Sequence, residues 1–123
     1  MSATFGLKAG NSPGAGYKEY TALLTQSGTD APVATVLVNT LGGEVVWSYV
    51  DVGDYLATLA GAFTENRTWF SFPSPRASAE ESGEAGLALI NANTVRLTTA
   101  DAGALKNAVL SPNFSIQIRV YPA

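Results

Sequence analysis

Phe114-Ser115-Ile116-Gln117-Ile118-Arg119-Val120-Tyr121 decides the fold. Phe114, Ile116, Ile118 and Val120 fall on one side and Ser115, Gln117, Arg119 and Tyr121 on the other, the two-residue period of a strand with one dry and one wet face. Working upstream, further short runs rich in Val, Thr and aromatic residues alternate with clusters of Gly, Pro, Asn and Asp. They comprise Tyr17–Thr25, Val33–Leu41, Glu44–Val50, Tyr55–Ala60, Arg67–Phe72, Leu87–Ile90 and Thr94–Thr99. Short strands at this regular spacing predict an all-β fold: a single-domain antiparallel β-sandwich, jelly-roll-like, with at most one short helix. That helix is one or two turns within Asp101–Leu110, weakened by Gly103.

Two segments carry more specific expectations. Gly42-Gly43 stands between the β-prone runs 33–41 and 44–50 and predicts a hairpin, because glycine supplies the positive φ of primed turns. Both faces of Val45-Val46-Trp47-Ser48-Tyr49-Val50 are largely apolar, with Val45, Trp47 and Tyr49 on one and Val46, Ser48 and Val50 on the other. Such a strand is either central in the sandwich or covered by another subunit. Residues 1–16, with Gly/Pro-rich 9–16, read as a flexible N-terminal arm ahead of the domain at 17–123. The polar stretch 73–86 reads as a long loop.

Composition narrows the function. The 123 residues contain no histidine and no cysteine, which removes the commonest base at neutral pH, the commonest metal ligand and every thiol nucleophile. Seven basic against ten acidic residues give a net charge of −3, and the basic ones are dispersed. That argues against nucleic acid as a partner. No run approaches the roughly 18 apolar residues of a spanning helix, so no membrane partner is expected, and no signal peptide is legible at the N-terminus. Charged residues make up 14% against 46% hydrophobic, a density that points to surface covered by a partner.

The acids do not assemble into a catalytic pair. Asp51 and Asp54 flank a turn glycine, where Asp is chosen for its backbone hydrogen bonds, and Glu80, Glu81 and Glu84 fall in the polar stretch. Two carboxylates with no third ligand nearby make a poor calcium site. The expectation is a non-enzymatic protein with no metal and no cofactor. The aromatic residues are the candidate interface or ligand contacts: Trp47, Tyr49, Trp69, Phe70 and Phe72. Trp47 reads as sandwich core. Trp69 and Phe70 are adjacent in one strand, so one of the two rings faces away from the core.

The run Tyr20–Gly42, with Val46-Trp47, Gly53-Asp54-Tyr55, Gly61-Ala62-Phe63 and the closing Phe114–Tyr121, resembles small structural proteins of tailed bacteriophages and prophages. The resemblance spans most of the chain and is weakest in the N-terminal arm and at 73–86. It implies a virion component of head-decoration or fibre type, made in the host cytoplasm, with copies of itself and other virion proteins as partners. A homo-oligomer is expected, a trimer from the general habit of fibres and decorations. The alternative is a carbohydrate-binding or receptor-binding module that meets a host-surface glycan through exposed aromatics.

Overall fold

The computed structural model describes residues 16–72, 83–101, 104–107 and 114–122. They form nine strands and no helix: β1 Lys18–Thr25, β2 Val33–Asn39, β3 Val46–Asp51, β4 Asp54–Thr58, β5 Thr68–Ser71, β6 Gly83–Asn91, β7 Thr94–Asp101, β8 Ala104–Leu105 and β9 Phe114–Val120. The strands build two antiparallel sheets packed face to face. The first has the order β2-β1-β9-β5, and the second β3-β4-β7-β6 with β8 also paired to β7. The predicted β-sandwich is the observed fold.

Alternation along the strands makes the core. Tyr20, Ala22 and Leu24 of β1 lie opposite Ile118, Ile116 and Phe114 of β9, and all six are sealed from solvent. Tyr55 and Ala57 of β4 lie opposite Leu97 and Val95 of β7 and close the core from the second sheet. Burying each large side chain stabilises the fold by about 1.5–3 kcal/mol relative to exposure. The alternation read in Phe114–Val120 is therefore the alternation of the structure.

Several local expectations change. The predicted hairpin across Gly42-Gly43 is a crossover between sheets, since β2 pairs with β1 and β3 with β4. Gly42 does take a positive φ of 102°. The chain there leaves the first sheet because Leu41 and Val45 drop into the core. The Asn39 side chain holds the bend, accepting from Leu41 N (2.9 Å) and donating to the Gly43 carbonyl (2.8 Å). Glycine chemistry reports a turn; it does not report which sheet the next strand joins.

Gly83–Gly86, expected within a loop, opens β6 and pairs with Thr98–Asp101. Ala104 and Leu105, expected near a helical turn, pair with Asp101 and Ala100 as β8. All but Gly16 of the expected arm at 1–16, and the rest of the expected loop, 73–82, lie outside the described residues. Phe63, in the connection from β4 to β5, is fully buried in the core, and its backbone N–H bonds to the Ala92 carbonyl (2.9 Å).

One turn has a hard steric requirement. Gly53, between β3 and β4, has a φ of +64°, and its carbonyl accepts from Thr99 N (2.9 Å). A Cβ there would sit against the Thr99 carbonyl oxygen and 2.8 Å from Lys106 N. Replacing Gly53 by Ala therefore adds left-handed strain to a backbone clash. The expected loss is about 2–4 kcal/mol, the range of the larger single-site effects, read as a lowered midpoint in urea unfolding.

Candidate interaction faces

The structure divides the five candidate aromatics. Trp47 is core: its indole N–H donates to the buried Tyr20 hydroxyl across the two sheets (3.1 Å). Tyr49 is half-buried on the inner face, edge-on to Tyr55 (ring centroids 5.8 Å apart), and its hydroxyl accepts from Asn107 Nδ2 (3.1 Å). Phe70 and Phe72 are half-buried against the core, Phe72 lying 6.0 Å from Phe114. Trp69 is 44% exposed and points outward from β5. The steric argument that Trp69 and Phe70 cannot both face inward is met, with Trp69 as the outward ring.

Around Trp69 the outer face of the first sheet gathers residues from three strands. Trp69 lies beside Arg119 of β9, which lies beside Glu19 of β1; the next row is Ser71, Gln117 and Thr21. The Arg119 guanidinium is sandwiched between two rings, 4.6 Å from Tyr17 and 4.8 Å from Trp69. Tyr121 packs 5.2 Å from Tyr17 and places its hydroxyl 3.4 Å from Arg119. Arg119 Nε is sealed within this stack with no hydrogen-bond partner among the described residues. The Glu19 carboxylate accepts from the Thr21 hydroxyl and from the Gln117 amide (2.7 Å). These bonds, with the nearby Arg119 charge, hold its pKa below the usual carboxylate value. Beyond this row, Thr21, Ser71, Ser115 and Gln117 line a shallow depression of about 470 Å³ with Phe72 at its rim.

A second face is apolar. Every residue of β2 except half-buried Ala34 is exposed. Val33, Val36, Leu37 and Val38 are open by 40–64%, and Val46, Val50 and Val52 on and beside β3 are similarly open. Strands β2 and β3 are edge strands of opposite sheets. A groove of about 310 Å³ joins them, lined by Ala34, Val36, Val45 and Val46 with Tyr20 and Trp47 at its floor. Strand β3 is thus not central in its sheet, and its outward aliphatics are uncovered.

The acids have structural partners. Asp54 makes a two-pronged ion pair with Arg96, Nε to Oδ1 at 2.9 Å and Nη2 to Oδ2 at 2.8 Å, on the outer face of the second sheet. Asp51 caps its own turn by accepting from Val52 N (2.7 Å). Glu84 is exposed on β6, and Glu80 and Glu81 lie outside the described residues. No group of three acids capable of holding a metal occurs among the described residues.

Tyr17, Glu19, Gln117, Arg119 and Tyr121 were not singled out in sequence as a site. The outward alternation of β9 gave Gln117, Arg119 and Tyr121 a common face, but their meeting with Glu19 and Trp69 follows from strand order. Comparison of the chain with models of known families, with curated proteins and with solved structures finds no match.

The Tyr20–Trp47 bond generates a test. Tyr20→Phe leaves the buried indole N–H without this acceptor, at a cost of about 1–3 kcal/mol in urea unfolding. Burial raises the Tyr20 pKa above 10.0, outweighing the lowering by the Trp47 bond. A raised folded value stabilises the protein fully below the unfolded value and less as pH rises through the folded one. Stability is therefore expected to fall from about pH 10 upward, and less steeply in Tyr20→Phe than in the wild type.

Proposed function

We propose that this protein is a non-enzymatic structural subunit of a tailed-bacteriophage particle, of head-decoration or fibre type, that assembles with further copies of itself through the β2–β3 edge. The observation that carries the assembly is the uncovered apolar surface at that edge. Monomeric proteins rarely leave a contiguous apolar patch of this kind against water. The two-faced apolar strand at 45–50 had two explanations, a central position or a covering subunit, and β3 is at an edge. Its edge position supports the second explanation, a covering subunit.

The surface also favours a second copy over an anionic partner. No ionisable residue stands on β2, from Val33 to Asn39, and the groove and β3 add only the acids Glu44 and Asp51, so the edge carries no cation to select an anionic ligand. The β2 and β3 edges are different surfaces. Packing the β2 edge of one copy on the β3 edge of the next is a head-to-tail contact, which forms a ring where the rotation between copies closes. A trimer is the closed form that the decoration and fibre reading carries. The particle assignment itself rests on the resemblance of Tyr20–Gly42 and Phe114–Tyr121 to phage structural proteins.

Light scattering behind a sizing column is expected to give a closed oligomer. A Leu37→Asp, Val46→Asp double variant, altering only exposed positions, is expected to elute as a folded monomer. A wild-type protein that stays monomeric up to its solubility limit overturns the assembly. Peptide mass spectrometry of purified particles checks the particle assignment, and absence from them overturns it.

A further inference from the structure

We propose that the outer face of the first sheet, from Trp69 to the depression lined by Thr21, Ser71, Ser115 and Gln117, is a binding site for a neutral saccharide. This goes beyond the assembly reading and uses a different surface. Trp69 stands on β5, at the edge of the first sheet opposite β2. A subunit covered along β2 and β3 therefore still presents this face.

A pyranose ring has an apolar face of C–H groups and a rim of hydroxyls. It is held by an aromatic plane beside a few fixed donors and acceptors. Trp69 is 44% exposed; one face of its ring lies on Arg119, and the other is the face offered for stacking. Gln117 and Ser71 lie side by side on β9 and β5, and Ser115 is one step further along β9 on the same face. Trp69 and Ser71 are two residues apart on one strand face, so their Cα atoms are about 7 Å apart. The Gln117 amide is already oriented by its bond to Glu19 (2.7 Å), which reduces the ordering cost of a hydrogen bond made to it.

Charge selects the neutral class. Arg119 is the cation stacked on Trp69, and Glu19 faces it across the β1–β9 pairing. Both flat sides of its guanidinium are covered, by Tyr17 and by Trp69. Its charge is offset by Glu19, its Nε is sealed and its Nη1 donates to the Tyr121 hydroxyl (3.4 Å), so little of the N–H edge that would pair with a sugar carboxylate or sulfate is free. The site instead presents hydroxyls, an amide and an indole.

The test uses the full chain on an array of neutral oligosaccharides of glucose, galactose, mannose and N-acetylhexosamines, with sialylated and sulfated glycans as a second arm. Neutral ligands that bind are then titrated calorimetrically. Trp69→Ala is expected to weaken binding at least about tenfold, equivalent to about 1.4 kcal/mol, with an unchanged circular dichroism spectrum and melting temperature. Gln117→Ala is expected to weaken it as well, while Trp69→Phe retains part of the affinity. The Leu37→Asp, Val46→Asp variant is expected to keep the per-site affinity, which separates this site from the assembly edge. Absence of binding to every neutral glycan overturns the proposal. So does binding confined to the acidic arm, or full affinity in Trp69→Ala.

Discussion

The sandwich depends on hydrogen bonds that cross its core from one sheet to the other. Burial of apolar surface brings the sheets together without fixing their alignment, because it has no direction. Trp47 and Tyr20 supply direction: each reaches across a core about 10 Å thick, and each has a polar tip that needs a partner there. Their bond of 3.1 Å satisfies the indole and pins β3 against β1. Tyr55 does the same toward the other end of β1, donating to Gln26 Oε1 at 2.9 Å. Gln26 is prepared for that role because its amide nitrogen bonds the carbonyls of Ser27, Gly28 and Asp30, fixing the turn after β1.

With the sheets aligned, the edges acquire their character. Three edge strands carry an unpaired extra residue: Leu37 in β2, Val50 in β3 and Ile90 in β6. Bulges of this kind interrupt the outward row of backbone groups and discourage uncontrolled strand addition. Here each bulge also carries a large aliphatic side chain, exposed by 48–57%. The edge is thus suited to contact by side-chain packing more than by extension of the sheet. The groove between the sheets has its own aliphatic lining of Ala34, Val36, Val45 and Val46. At the other side of the first sheet the surface is aromatic and polar, organised by the Tyr17–Arg119–Trp69 stack.

Much of this was legible before the strands were placed. The inward set of β9 and the outward position of one of Trp69 and Phe70 follow from a period of two and need no partner strand. The glycines marked bends correctly, as the positive φ of Gly28, Gly42, Gly53 and Gly61 bears out. The hairpin at Gly42-Gly43 was misread because two neighbouring β-prone runs look the same whether they share a sheet or face each other across a core. Phe63 was not legible as core because it lies outside any strand, where no periodic pattern marks an inward position. The polar-aromatic face was only partly visible, since Glu19 and Gln117 are 98 residues apart and nothing local links them.

By itself the sequence determined the class of fold, the faces of its clearest strands and a chemistry without histidine or cysteine. These are properties of residue type and short-range period. Tertiary structure alone decided that β3 is an edge strand, that Trp69 and not Phe70 is the outward ring, and that Arg119, Glu19 and Gln117 share one patch. Strand order depends on which distant segments bury one another best, and that competition is settled only when both sheets pack and every buried polar tip finds its partner.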